Sequence, residues 1–305
     1  MTPCYREESN ITQHFDRVRK AIQPLTERYS FEHIYMDNCS DDLTFVKIQE
    51  LCRAHANVRG IRYSRNIGAD RSMFFGLAEA KGDAVILIQA DLQDPPELIP
   101  DFVRHWEEGH DVVYGKIARR SEGAILQAVR RLYYRIIAKL SDVPIPENAG
   151  DFRLTSRRAL DALLQFKEHD LYIRGAMALV GFAQKPVLFE KAPRAGGKSS
   201  VNFLYLLGYA INGLLSTTVV PLRLVTLAGV FVATLGFLLS GYIVVMKVLY
   251  PEHAPQGYTT VATLLTFFSG IQLLSLGVIG EYLRKIYMQS LQRPKGFIQD
   301  RVNLP

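Results

Sequence analysis

Two long uncharged runs near the carboxyl end constrain the architecture of this chain more than any other feature. Residues 224–246 contain no Asp, Glu, Lys or Arg, and neither do residues 258–280. Each run reaches the roughly 20 residues that a helix needs to cross a bilayer. Prolines and Gly257 interrupt the segment between them. The sequence therefore predicts a transmembrane helical hairpin over residues 221–285. The alternative, a buried helical core, seldom runs this far without a charge.

Flanking cations predict the orientation of this hairpin. Four of them flank the uncharged runs on the side away from the connecting segment, at Arg223, Arg284, Lys285 and Arg293. Only Lys247 lies near the connecting segment. By the positive-inside rule, both chain ends then face the cytoplasm, including a tail of residues 286–305. We expect a multi-pass protein of the cytoplasmic (inner) membrane. Its contacts with the lipid bilayer would begin at residues 196–220. This segment is predicted to be either a juxtamembrane helix in the membrane interface or a core helix that docks on the preceding domain.

The first 195 residues alternate strand-like and helix-like patterns. Their clearest stretch runs strand, helix, strand, helix, strand over residues 31–36, 43–56, 58–63, 69–80 and 84–88. Alternation of this kind predicts an α/β domain, a mostly parallel sheet covered by helices. Polar clusters follow the predicted strand ends, which is where open α/β sheets bind ligands. We therefore expect a cytoplasmic ligand-binding domain over residues 1–195.

Acidic and amide side chains gather in three of these clusters, at residues 5–8, 37–42 and 89–97. Some of these residues suit helix caps and turns, such as Asp94 before two prolines. Capping does not explain why carboxylate and amide side chains gather just after the apolar strand at residues 84–88. Carboxylate and amide oxygens so placed suit Mg²⁺ or Mn²⁺.

A basic stretch follows at residues 116–139, where seven cations oppose Glu122 alone. Such a run is often a solvated helix face, or a nucleic-acid patch. Beside a membrane hairpin it favours anionic headgroups or a lipid phosphate instead. We expect no nucleic-acid partner.

An ordered set of short motifs runs through the chain. It comprises Pro3-Cys4-Tyr5-Arg6-Glu7, Asp37-Asn38-Cys39-Ser40, Ser64-Arg65-Asn66-Ile67-Gly68, Ala90-Asp91-Leu92-Gln93-Asp94, Gly150-Asp151-Phe152-Arg153 and Gly197-Lys198-Ser199. The set resembles the membrane-anchored family 2 glycosyltransferases that load one sugar onto a polyprenyl phosphate. GtrB-type bactoprenol glucosyltransferases and the aminoarabinose transferase ArnC are similar, and dolichyl-phosphate mannose synthases more distantly so.

This resemblance implies a GT-A (Rossmann-like) fold and hexose transfer to undecaprenyl phosphate, as in O-antigen modification. It favours UDP-glucose as the donor, with GDP-mannose or a modified UDP-sugar as alternatives. A Mg²⁺ or Mn²⁺ cofactor is implied, and some relatives form homotetramers. Direct displacement would invert the anomeric centre.

The resemblance also implies roles for individual positions. Residues implied to bind the nucleotide sugar are Pro3, Tyr5, Glu7, Asp37, Asn38, Asn66 and Asp91. Residues implied to bind metal are Gln89, Asp91 and Gln93. Residues implied to hold the acceptor phosphate are Arg119, Arg120, Arg131, Arg194 and Lys198. Asp151 matches the acid proposed as catalytic base. Because a phosphate monoester is mostly ionised at neutral pH, Asp151 could equally orient groups without taking a proton.

The chain departs from the family pattern at three residues and at its start. Gln89 replaces the first acid of Asp-x-Asp, which removes one negative charge from the metal site. Asn38 stands where a second Asp is common, and Arg6 replaces the usual Asn. The sequence also begins at Met1, where relatives have a strand upstream, so we expect either an earlier start or a sheet without a strand that normally sits inside it.

Other functions compete with this reading. Gln89 and the absence of the upstream strand motivate an alternative, a catalytically silent nucleotide-sugar-binding membrane protein. A processive polysaccharide synthase would carry Gln-x-x-Arg-Trp, but Trp106, the only tryptophan, lies in a different context. A lipid flippase is disfavoured because two predicted spans are few. Donor turnover distinguishes the enzyme from the silent binder.

Overall fold

A computed structural model describes residues 1–119, 149–168, 171–191, 218, 220–249, 257–294 and 296–304. The chain divides into two compact units. The first comprises Met1–Ser216 with Arg293–Pro305, and the second comprises Thr217–Gln292. Most of the predicted juxtamembrane segment at residues 196–220 lies outside the described residues.

The first unit is an α/β domain, as predicted. Its elements are β1 (Thr2–Cys4), α1 (Ile11–Ile22), β2 (His33–Asp37), α2 (Thr44–Ala54), β3 (Val58–Tyr63), α3 (Ala69–Glu79), β4 (Ala84–Leu87), α4 (Ile99–Glu107), β5 (Val112–Arg119), β6 (Ala149–Ser156), α5 (Arg157–Leu164), α6 (Ile173–Val180), β7 (Gln184–Glu190) and β8 (Ile298–Val302). Short 3-10 turns lie at Gln23–Leu25 and Pro96–Leu98. The predicted strand and helix order from β2 to β4 is confirmed.

The strands form two four-stranded sheets. In the order β1-β2-β3-β8, the first three strands are parallel and β8 is antiparallel to β3. In the order β4-β6-β5-β7, β6 runs antiparallel to both neighbours and β7 is parallel to β5. The parallel arrangement that local patterns predict therefore holds for β1 to β3. The second sheet contains both parallel and antiparallel pairs.

Met1 connects the two sheets. Its amino group donates to the Ile86 carbonyl at 2.8 Å, and its carbonyl accepts from the Ile88 N–H at 3.0 Å. The central strand position between β2 and β4 is therefore occupied, although β1 has only three residues. A cavity of about 790 Å³ opens next to Met1, between the amino-terminal ends of β2 and β4.

Helices cover both faces of the sheet and hold it in place. Apolar side chains of α1 and α4 pack with Phe152 and Leu154, and those of α3, α5 and α6 pack with Met36 and Leu87. Helix α3 approaches β2 closely at Gly76, where an added Cβ would lie 1.4 Å from the Met36 sulfur. A larger residue there would require the buried Met36 side chain to move, so glycine lets α3 pack closely on the sheet with its first turn at the strands' carboxyl ends.

The second unit contains two long helices, α7 (Val220–Leu249) and α8 (Tyr258–Ser290). They include both uncharged runs. Large apolar side chains on these helices are exposed, among them Phe231 at 70% and Leu274 at 71%. Within this unit the Tyr282 hydroxyl donates to the Thr218 carbonyl at 3.0 Å. Among the residues that the structure describes, no helix is both long enough and apolar enough to cross a membrane.

Candidate active site

Most of the sequence-predicted site residues meet at the carboxyl ends of the parallel strands. Pro3 lies in β1, with Tyr5 and Glu7 in the loop that follows. Asp37 ends β2, and Asn66 follows β3. The segment after β4 supplies the predicted metal ligands Gln89, Asp91 and Gln93. Parallel strands place their ends at one edge of the sheet, which is where α/β folds bind ligands.

Asp37 is the most buried of these acids, with a fully buried side chain. Its two oxygens accept from the Ser40 N–H at 3.2 and 3.1 Å, and the Arg62 Nε lies 3.5 Å away. Burial raises the pKa of Asp37, whereas the Ser40 hydrogen bonds and the Arg62 charge oppose that rise. The carboxyl group is therefore held by both the loop and the neighbouring strand β3.

Asn38 ties the loops after β2 and β3 together. Its Nδ2 donates to the Asn66 Oδ1 at 3.0 Å, and its Oδ1 accepts from the Ile67 N–H at 2.9 Å. Its own N–H donates to the Cys4 carbonyl at 2.9 Å, at the end of β1. An amide can donate and accept at once, which a carboxylate cannot. The Asn38 side chain thus has a structural role in joining the loops after β2 and β3.

The loop after β1 is anchored through Glu7. Its N–H donates to the Thr44 hydroxyl at 2.9 Å, and its buried carboxylate accepts from Asn10 at 2.6 Å. Three residues of the site loops, Arg6, Cys39 and Leu92, have left-handed φ values of 55°, 61° and 59°. Such backbone costs energy for residues other than glycine and concentrates at functional sites.

Asp151 lies in β6, next to β4 in the second sheet. Strand β6 pairs antiparallel with β4, with Leu87 opposite Arg153. Asp151 precedes Arg153 by two residues in β6, so it lies toward the end of β4 from which Gln89 and Asp91 follow. The carboxylate of Asp151 accepts from Arg174 Nε at 2.9 Å and from Arg174 Nη2 at 3.0 Å. Arg153 adds a second guanidinium 3.8 Å away.

These cations control the ionisation of Asp151. Burial alone would raise its pKa, but Arg174, Arg153 and Lys191 together lower the pKa to about 2. A carboxylate with so low a pKa is a weak proton acceptor at neutral pH. The arrangement suits an orienting carboxylate better than a general base.

Two further acids near Asp151 behave in the opposite way. Burial raises the pKa of Asp70 to about 7, with the Asp151 charge adding to the effect. Burial likewise raises the pKa of Asp94 to about 7, with Asp91 and Asp151 adding to it and Lys191 opposing it. Like charges that crowd one site suppress one another's ionisation. In both acids burial is the larger cause, and the Asp151 charge adds to it.

The donor atoms fit a hard divalent cation. Asp91 offers a carboxylate, whose Oδ1 accepts from the Gln93 N–H at 3.2 Å, and Gln89 and Gln93 carry amide oxygens. Mg²⁺ and Mn²⁺ prefer such oxygen ligands. A bound cation would also favour the ionised form of Asp94, whose pKa burial raises.

The predicted phosphate-binding cations are mostly outside the described residues, namely Arg120, Arg131, Arg194 and Lys198. Arg119 is the last residue of β5, where its backbone lies opposite that of Glu190 in β7. Sequence reasoning missed Arg174 and Asp70. Arg174 carries no local signal, since its role depends on a contact with a strand 23 positions away in sequence. Asp70, on the first turn of α3, could have been found from the glycine that precedes that helix.

Comparison with known proteins identifies the family. Residues 1–164 match the family described as Glycosyl transferase family 2. The chain belongs to this family. Residues 220–286 match the GtrB C-terminal hairpin, which corresponds to the second unit. This family 2 protein is therefore a glycosyltransferase with a GT-A-like domain and a GtrB-type hairpin.

Relatives match along nearly the full length. A bactoprenol glucosyl transferase of Shigella phage SfV is 34% identical over 301 residues, covering 98% of this chain and 97% of the relative. A glycosyltransferase of Synechocystis sp., sll0501, is 33% identical over 299 residues, covering 98% and 93%. Among solved structures, a Mycobacterium tuberculosis glucosyl-3-phosphoglycerate synthase with Mn²⁺ and UDP is 20% identical, with a TM-score of 0.46 over 70% of this chain and 75% of that one.

Proposed function

We propose that this glycosyltransferase transfers glucose from UDP-glucose to undecaprenyl phosphate at the cytoplasmic face of a membrane. The observation that carries the proposal is the convergence of Asp37, Asn38 and Asp91 with Asp151 at one sheet edge. The bactoprenol glucosyl transferases at 31–34% identity support the sugar and the lipid acceptor. They match the hairpin as well as the catalytic domain.

Donor binding would use the loops after β1, β2 and β3. The Asn38 bridge to Asn66 and Cys4 keeps these loops together before any ligand arrives. Preorganised donors and acceptors do not have to reorganise when a ligand binds, so they cost less free energy. Asp37 and Glu7, both buried, would accept hydrogen bonds from the nucleoside.

A divalent cation would be held by Asp91 with Gln89 and Gln93. When bound, it supplies positive charge that stabilises the diphosphate leaving group. Because Gln89 is neutral, the protein contributes fewer negative charges here than an Asp-x-Asp site would. The pKa values of Asp94 and Asp70 lie near 7. The positive charge of the metal would therefore favour their ionised forms.

The acceptor needs little help in becoming a nucleophile. A phosphate monoester has its second pKa near 6, so it is largely a dianion at neutral pH. Asp151, held ionised by Arg174, would therefore orient Arg174 and Arg153 toward the reacting phosphates and not remove a proton. Attack from the face opposite the diphosphate would invert the anomeric carbon.

Membrane attachment would use the second unit. Helices α7 and α8 contain the uncharged runs at residues 224–246 and 258–280, and their large apolar side chains are exposed. Exposed apolar surface of this extent is rare on soluble monomers and marks a lipid or protein contact. Flanking arginines and lysine support an orientation with both termini in the cytoplasm.

The test is transfer of labelled glucose into an organic phase. Membranes containing the full chain would be incubated with UDP-glucose, undecaprenyl phosphate and Mn²⁺ or Mg²⁺, with EDTA in a parallel sample. We expect labelled lipid that EDTA abolishes. An Arg158→Gln variant is a suitable control, because Arg158 pairs with Asp111 away from the site. Donor binding without labelled lipid, from UDP-glucose, GDP-mannose or modified UDP-sugars, would instead support the silent binder.

A further inference from the structure

A second group of metal-ligating side chains lies at the far end of α4 from the candidate active site. The site segment at residues 89–97 leads into the amino terminus of α4, whereas His105, Glu108 and His110 surround its carboxyl terminus. One ligand atom from each of these three residues lies within 4.8 Å of the others. No function described so far uses them.

A tight turn brings these residues together. Gly109 has a φ of +96°, in the left-handed region that favours glycine. Backbone hydrogen bonds hold the turn, from Gly109 N–H to the Trp106 carbonyl at 2.9 Å and from His110 N–H to the His105 carbonyl at 3.2 Å. The two imidazole rings consequently meet edge to face, with centroids 6.1 Å apart. The arrangement is fixed by the backbone and does not depend on flexible side chains alone.

The hydrogen bonds also prepare the imidazole rings. His110 Nδ1 lies 3.0 Å from the His105 carbonyl oxygen, which can only accept, so Nδ1 carries the proton. In the neutral ring, Nε2 then has the free lone pair, and a ring fixed through Nδ1–H to a carbonyl is typical of metal-bound histidines. His105 Nδ1 lies 2.7 Å from a Glu108 carboxylate oxygen, and a metal ion would replace the proton between them.

We propose that His105, Glu108 and His110 form a binding site for a divalent transition-metal ion of the Zn²⁺ class. Imidazole nitrogens favour Zn²⁺, Co²⁺ or Ni²⁺ over Mg²⁺, which separates this site from the oxygen-rich cluster after β4. Three protein ligands leave a fourth position for water. The carbonyls at the end of α4 add negative potential that favours a cation.

A bound ion would fasten α4 to the start of β5. Strand β5 pairs with β6, and β6 carries Asp151. The site is therefore connected to the candidate active site through one strand pairing, and it would stabilise the sheet beneath that site without contacting substrate.

The test is Co²⁺ and Zn²⁺ binding by the purified full-length chain. The Asp91→Asn variant serves as the parent, so that the cluster after β4 lacks its carboxylate. Visible absorption of bound Co²⁺ gives the affinity, and thermal unfolding with Zn²⁺ gives the stabilisation. In both H110Q and E108Q we expect the affinity to weaken by roughly tenfold or more, since each loses a ligand.

Glu107→Gln is the matched control. The Glu107 carboxylate is one residue from the cluster and binds Tyr29 and, at 2.7 Å, Arg28 instead. We expect this variant to bind Co²⁺ as the parent does. If H110Q and E108Q bind Co²⁺ as tightly as the control, the proposal is overturned, whatever the outcome of the glucose-transfer assay. Glu108 is half-exposed, so E108Q tests the site even if H110Q fails to fold.

Discussion

Replacing Arg174 with Gln should change the charge state of Asp151. The two side chains form a bidentate ion pair, with donor–acceptor distances of 2.9 and 3.0 Å, and are only 23% and 17% exposed. Removing one partner of a buried pair costs about 3–5 kcal/mol, because the remaining charge loses its partner. Since 1.36 kcal/mol is a tenfold change, Asp151 would bind its proton roughly a hundredfold to a few thousandfold more tightly.

The sign of the pH dependence then reverses. In the parent chain the pKa of Asp151 is lowered from 3.8 to about 2, so the ion pair stabilises the fold above the ordinary pKa of an Asp. That stability, about 2 kcal/mol, is lost as the pH falls toward 2. In Arg174→Gln the pKa of Asp151 lies above its ordinary value. The variant should therefore lose stability as the pH rises through that raised pKa.

Two measurements check this reasoning. The free energy of urea unfolding as a function of pH reports the stability, and kcat/KM for lipid glucosylation reports the site. We expect a new acidic limb in the kcat/KM profile of Arg174→Gln and none in Arg158→Gln, whose ion pair lies elsewhere. Superimposable pH profiles for Arg174→Gln and the parent would show that Arg174 does not set the charge of Asp151.

Three further predictions concern the metal ligands and the buried histidines. Asp91→Asn should lower metal-dependent glucosylation by roughly a hundredfold or more, because charge stabilisation of the leaving group is lost; unchanged turnover would remove Asp91 from the metal site. Gln89→Asp should tighten Mn²⁺ binding by roughly tenfold, measured by calorimetry, because ligand charge strengthens cation binding. No change would place Gln89 outside the ligand set. Burial lowers the pKa of His14 to about 3 and lowers that of His33 well below its usual range, so the unfolded chain binds protons that the folded chain does not. Urea unfolding should therefore show falling stability as the pH drops below about 6.5, with a smaller slope in His33→Gln; equal slopes would contradict it.

Local sequence patterns were sufficient to predict the elements from β2 to β4. Their apolar and polar residues alternate with clear strand and helix periods, and each element needs only its own residues to be recognised. The same patterns predicted that Asp37 and Asp91 lie at strand ends. Since strand ends in a parallel sheet share one edge, the gathering of these residues followed directly.

Long-range pairing set the limit of that reasoning. The antiparallel course of β6 places Arg153 opposite Leu87, 66 positions earlier, and no short pattern carries this register. The Arg174 contact depends in turn on how α6 packs beneath the sheet. The charge of Asp151, and hence its suitability as a base, could be judged only once these tertiary contacts were known.

The position of β1 has a mechanical consequence for the donor pocket. This strand connects the loop of Tyr5 and Glu7 to the middle of the sheet, where it is buried, pairs with β2 and, through Met1, hydrogen-bonds to the β4 segment. Buried, hydrogen-bonded segments open locally only at a high free energy. The pocket wall formed by this loop is therefore supported at both ends, by β1 on one side and by Thr44 and Asn38 on the other. A ligand that bridges this loop to the Asp37 loop would meet a wall that is already ordered.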